Sequence, residues 1–189
     1  AELLASSLAA LKQVQQSGDF TIVKSGELSP THLKRLLANH FLMPVIKGWY
    51  IVTDPRAVPG DSTAWYASFW NFILRYATER YGKEWCLSAE QSLAIYSGST
   101  TVPKQVLIRS PKGNNNSLEL LPPTSLFNLE AALPSRIDTD NPYRLNLYPL
   151  AEAIIAATPA IYKSDATTMR TALALVRDSS EILKILVDT

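Results

Sequence analysis

LSPTHLKRLLANHFLMPVIKGWYIVT, residues 28–53, joins a capped helix to a tight hairpin, and the rest of the chain is read outward from it. Ser29 followed by Pro30 is a helix start: a hydroxyl to accept an orphan N–H, then a ring whose fixed φ suits the first helical position. Leu33, Leu36, Leu37, His40 and Phe41 follow at helical spacing, so they share an inner face, with His40 expected there as a satisfied structural histidine. The opposite face carries Thr31, Arg35 and Ala38, flanked by His32, Lys34 and Asn39, and it has no carboxylate. Two short apolar runs, 42–46 and 49–52, then meet at Lys47-Gly48, where glycine supplies the turn. Pro44 cannot donate to a ladder, which predicts an edge strand.

A short helix with a basic outer face running into a small hairpin is the order of parts in a winged helix-turn-helix. That reading gives Arg35 base-edge work, Thr31, His32, Lys34 and Asn39 mixed base and phosphate contacts, and Lys47 a phosphate contact from the wing. Winged units also serve purely as packing or protein-interaction modules, so double-stranded DNA and a protein partner both stay open.

The chain before this stretch places Leu4, Leu8 and Leu11 on one helical stripe, stopped by Ser17-Gly18, with a brief strand predicted over 20–23 and a connector or degenerate helix over 24–28. After it, DPRAVPGD (54–61) is the best linker. The expected domains are therefore 1–57, a winged helix-turn-helix, and 58–189, a small mixed α/β domain with C-terminal helices, an α+β chain overall. Asp61 or Ser62 caps a long helix whose Trp65, Phe69, Phe72, Ile73 and Tyr76 read as core. Ser88 to Gln91 has the capping-box pattern, with Glu90 as a first-turn dipole partner. Residues 105–110 and 117–121 read as a hairpin around a polar turn, 124–133 as a short helix or turn, and 143–147 as a strand. Helices follow over 149–157, 166–177 and 179–187.

A length of 189 residues, 47% of them apolar, is ample for a core, and a net charge of +1 excludes a generally polycationic binder. The single Cys86 excludes an internal disulfide, fits a reducing cytosol, and reads as a buried small hydrophobe. No apolar run is long enough to span a bilayer, so no membrane partner is expected and the chain reads as cytoplasmic. It opens on Ala, and its last amphipathic segment runs to Thr189 without a stop signal, which suggests a piece of a longer protein. The two histidines, His32 and His40, have no triad partner pattern, and no phosphate loop or metal-ligand spacing occurs. Asp138 and Asp140 share a loop but are weak as a cation site, and Lys104, Arg109 and Lys112 form a small basic cluster best read as solvated edge charges. No enzyme activity and no cofactor are expected of this chain.

The blocks LSPTHLKRLLANHFLMPVIKGWYIVTDP, GDSTAWYASFW, EWCLSAEQSL, VPKQVLIRSPKG, TSLFNLEAALP and LALVRDSSEIL together resemble the N-terminal region of bacterial Fic-family proteins, also called cell filamentation proteins. That region is similar to AbiEi-type antitoxins, a winged helix followed by a small α/β domain. The resemblance implies a following Fic domain that transfers AMP from ATP to a hydroxyl of a target protein, through a His-Pro-Phe-x-x-Gly-Asn-Gly-Arg motif. That motif is absent here: His40 is followed by Phe41-Leu42-Met43, so no catalytic residue carries over. What carries over is the winged unit, with His32, Lys34, Arg35 and Lys47 at the DNA-facing positions. The implied roles are transcription regulation of its own operon, recruitment of targets to or inhibition of the Fic domain of the same polypeptide, or neutralisation of a cognate toxin.

Overall fold

The computed structural model describes residues 2–17, 21–58 and 60–188; the expected helix stop at Gly18, the strand start at Phe20 and the linker's Pro59 lie outside them. The chain is mixed α/β and divides into two compact units, Ala1–Ile73 with Glu119–Pro122, and Leu74–Leu118 with Pro123–Thr189. The boundary expected at 57/58 thus moves into the helix that follows, which leaves Trp65, Phe69, Phe72 and Ile73 in the first unit and Tyr76 in the second.

In the first unit α1 (Glu2–Ser17) is followed by β1 (Ile22–Lys24), a 3-10 turn (Ser25–Glu27), α2 (Pro30–Ala38), β2 (Leu42–Ile46) and β3 (Trp49–Val52). The strands form an antiparallel sheet in the order β1-β3-β2. Ser29 Oγ accepts the His32 amide at 3.3 Å and Pro30 holds the first helical position, as the sequence predicts. Leu11, Val23, Leu28, Leu36 and Leu42 are buried together, with Leu8, Leu33, Leu37 and Phe41 packed around them. Hydrophobic burial of these leucines is what α1, α2 and the sheet gain by coming together.

His40 is not on an inner helical face. The helix closes at Asn39, whose side chain returns to the Arg35 carbonyl at 2.8 Å, and His40 is exposed with φ +58. The chain must reverse there to start β2, and the left-handed residue makes the reversal. The Thr53 hydroxyl then donates to the His40 carbonyl at 2.7 Å.

Gly48, at φ +82, forms the hairpin turn with Lys47, and a bulge between Pro44 and Ile46 absorbs one residue. The Thr53 amide donates to the Phe41 carbonyl at 3.1 Å. Alternation along an antiparallel ladder therefore turns the nitrogen of Pro44 toward the open edge. A donor is missing where an added strand would need one, which blunts that edge.

α3 (Thr63–Tyr81) starts where the Asp61 carboxylate accepts the Thr63 amide at 2.8 Å. Trp65, Phe69, Phe72, Ile73 and Tyr76 are all buried, as expected of a core stripe. Phe72 meets both Trp65 (5.5 Å) and Trp49 of β3 (5.7 Å) edge to face, so the hairpin is clamped onto this helix by aromatic rings.

The second unit holds β4 (Cys86–Leu87), α4 (Ala89–Tyr96), β5 (Gln105–Ser110), β6 (Asn116–Glu119), β7 (Ser125–Glu130), α5 (Leu150–Ala156), α6 (Ile161–Ser164), α7 (Ala166–Leu175) and α8 (Ser179–Asp188). The sheet order is β4-β5-β7-β6, with β5 and β7 parallel. Three expectations are corrected here. Residues 105–110 and 117–121 do not form a hairpin, because β7 lies between β5 and β6. Residues 125–130 are that central strand, not a helix or turn; its inward positions are Leu126 and Asn128, and the buried amide disguised the alternation. Residues 143–147 form no strand and make only one isolated bridge, Leu147 to Asp138.

Asn128 is paid for by Tyr81, whose hydroxyl donates to it at 2.8 Å. The loop ahead of β6 is strapped to β7: Asn115, at φ +54, donates its amide to the Asn128 carbonyl and accepts the Glu130 amide on its side chain. Gly113 runs so close to the backbone of Leu129 that a β-carbon there would lie 2.3 Å from its carbonyl oxygen. Ser88 caps α4 from one side only, since the Gln91 side chain is spent on β5, donating to the Gln105 carbonyl and accepting the Leu107 amide. Around Cys86, Leu93, Tyr148, Ile154 and Met169 the four helices α4, α5, α7 and α8 share one core, with Ile182 packed at its edge.

Candidate nucleic-acid interface

Six residues define the site expected from sequence, and all belong to the first unit. Thr31 and Lys34 are exposed on the outer face of α2, and Lys47 is exposed at the hairpin turn. The side chains of the three have no hydrogen-bond or ion-pair partner among the described residues. The Ser25 amide donates to the Gly48 carbonyl at 2.9 Å, which pins the hairpin turn to the 3-10 turn leading straight into α2. Lys47 is thereby held beside the 3-10 turn that precedes α2.

Lys24 was missed in the sequence reading because nothing in the local pattern marks it. It pairs in register with Trp49 next to the turn, and its ammonium lies 5.2 Å from the Trp49 ring centroid, so it adds positive charge at the same end of the sheet.

Arg35 and His32 are engaged elsewhere. Arg35 Nη1 donates to the Leu3 carbonyl and to Ser7 Oγ, each at 2.8 Å, and His32 Nδ1 lies 3.0 Å from the same Ser7 oxygen. Ser7 is fully buried and also bonds the Leu3 carbonyl, so one hydroxyl of α1 gathers two of the three basic side chains of α2, His32 and Arg35. A bidentate guanidinium reading of a base edge requires that contact to break first. Asn39, tied to the Arg35 carbonyl, closes the far end of α2. The outer surface of α2 between Pro30, Thr31, Lys34, Arg35 and Ala38 forms a shallow concavity of about 550 Å³.

In the second basic cluster Lys104 is exposed, but the other two cations are engaged. Lys112 is ion-paired with Glu84, and Arg109 is half-buried, donating to the Ala132 carbonyl at 3.2 Å with its guanidinium over the Tyr148 ring. Cys86, opposite Arg109 in the sheet, has its thiol pushed up to about 12 by burial, with Arg109 opposing weakly, so it is no nucleophile at neutral pH. Asp138 accepts the Tyr96 hydroxyl and the Asp140 amide, and no metal-holding group of three or more ligands occurs among the described residues. The Tyr96 hydroxyl lies 2.7 Å from both Asp138 and the Tyr148 carbonyl; burial and then that carboxylate raise its pKa. Among the described residues no helix is long and apolar enough to cross a membrane.

Comparison with known proteins returns no matching family model and no matching curated relative.

Proposed function

We propose that the first unit is a winged helix-turn-helix that binds double-stranded DNA, as the transcription-regulatory region of a cytoplasmic Fic-type protein or as an AbiEi-like antitoxin. The observation that carries this reading is the order α1, β1, short turn, α2, β2, β3 with sheet order β1-β3-β2. Its wing, bearing Lys47, is pinned beside the entry to a capped α2. Thr31, Lys34, Lys47 and Lys24 supply backbone contacts, while His32, Arg35 and Asn39 contribute once the bonds to Ser7 and within α2 are exchanged for contacts to the duplex.

The test is a titration against the duplex upstream of its own reading frame, and against an unrelated duplex, at several salt concentrations. Each lost phosphate contact lowers the slope of log K against log salt by about 0.9. Lys34→Ala with Lys47→Ala is therefore expected to lower it by about 2. An unchanged affinity and slope in the double variant would end the proposal.

The capture of Arg35 and His32 by Ser7 favours a second reading, a protein-interaction module that recruits targets to, or restrains, a Fic domain of the same polypeptide or a cognate toxin. Protein modification by the full-length protein with and without residues 1–73 separates the two: a change in target range or rate supports this reading, and no change removes it.

A further inference from the structure

A cleft of about 620 Å³ opens in the first unit on the side of the open β2 edge, lined by the buried or half-buried Leu37, Leu42, Met43 and Ala64 and by the exposed His40, Asp54 and Asp61. Its size and its mostly apolar wall lie in the range of small-molecule sites, and it stands open to solvent past the exposed Pro44, Pro55 and Ala57. The charges on its rim are unequal. Asp54 is bridged by the Nε and Nη2 of Arg56, both at 3.1 Å, so that pair is neutral. Asp61 gives one oxygen to the Thr63 amide and has no cationic partner among the described residues. Hydrogen bonding from the Thr63 side chain, and then from its amide, keeps the Asp61 carboxyl below its ordinary range, so it is ionised at neutral pH. His40, exposed with a left-handed backbone, also lines the cleft.

We propose that this cleft binds an organic cation, a compact apolar body bearing one positive charge, with Leu37, Met43 and Ala64 covering the body and the Asp61 carboxylate meeting the charge. A pocket of this lining attracts any apolar body of the right size, and the single uncompensated carboxylate selects the cation over its neutral and anionic counterparts. Two of its walls, Leu37 and the His40 turn, are the last turn and exit of α2, so an occupant touches the helix that carries Lys34 and Arg35.

Three probes of one shape test this without nucleic acid: 2-phenylethylammonium, 2-phenylethanol and 3-phenylpropionate, followed by methyl NMR of the full chain. The ammonium is expected to shift the Met43, Leu37 and Ala64 methyl signals saturably and to bind at least fivefold tighter than the alcohol, with the carboxylate weakest. Asp61→Ser keeps an oxygen for the Thr63 amide while removing the charge; it is expected to cut ammonium affinity at least fivefold and leave the alcohol unchanged. Ala57→Trp, at an exposed wall position, is expected to block all three. The proposal is overturned if no probe shifts these methyls, if the alcohol or carboxylate binds as tightly as the ammonium, or if Asp61→Ser leaves ammonium affinity intact.

Discussion

The two sheets of this protein are built on opposite principles. The first pairs strands that are close in sequence: a two-residue turn joins β2 to β3, and β1 completes the order from one helix away. The second is organised on a parallel pair, β5 and β7, whose connection carries β6 to the far side of β7. Local pairing leaves its mark in adjacent residues, a glycine turn between two apolar runs. A parallel crossover leaves none, because its partners are chosen by what packs against them. The polar groups differ in the same way. In the first unit Lys34 lies exposed on α2, while Arg35 and His32 are held by one hydroxyl of α1. In the second, Tyr81 is bonded to Asn128 and Tyr96 to Asp138, each pair joining elements remote in sequence.

That contrast can be broken from either side. The largest effect is expected from Phe72→Ala, which removes the ring contacting both Trp49 and Trp65 and costs about 4 kcal/mol. Urea unfolding measures it, and hydrogen exchange should show the hairpin amides of 42–52 losing protection. Gly113→Ala comes next, at about 3 kcal/mol, since the added carbon meets backbone of Leu129 and Glu130 that cannot step aside. A neutral result would mean that the strap over β7 is looser than described. Tyr96→Phe should cost about 1 to 2 kcal/mol by leaving Asp138 and the Tyr148 carbonyl without their shared donor.

Ser7→Ala is expected to lose about 1 kcal/mol, because Arg35 keeps only the Leu3 carbonyl and His32 loses its partner. If α2 reads DNA, the same change should raise its affinity for duplex by releasing Arg35. The smallest effect concerns pH. Burial pushes the Glu90 carboxyl up, but the Thr158 amide at 2.9 Å and further hydrogen bonds outweigh it, so its folded pKa lies below the ordinary value. The contribution is therefore present above the ordinary carboxylate range and is lost as pH falls through the folded value. The stability difference between the native chain and Glu90→Gln, followed from pH 7 to pH 3, should shrink toward the acid end.

Much of the first unit was legible because its determinants are neighbours. Ser29-Pro30 announced the helix start, Lys47-Gly48 the turn, and the Trp65 to Tyr76 stripe the buried helix. The reading failed at His40, where heptad-like spacing continued past the residue that ends the helix. It also failed at 125–130, where a buried Asn128 looked like a break in a strand. Of the expected site, the exposure of Thr31, Lys34 and Lys47 followed from the pattern, whereas the capture of His32 and Arg35 did not. Ser7 lies 25 and 28 residues away from them, and no local rule connects a serine in one helix to a histidine and an arginine in another.

By itself, then, the amino-acid order determined where the helix and hairpin of residues 28–53 begin and turn, since caps, proline and glycine act within a few bonds of themselves. Its single cysteine, Cys86, also determined that no internal disulfide can form. Only the tertiary structure decided which strand lies beside β5, which unit owns the first half of α3, and that Arg35 is bonded to α1. Those outcomes depend on buried area and on satisfying polar groups brought together from distant parts of the chain, and such costs exist only once the chain has folded.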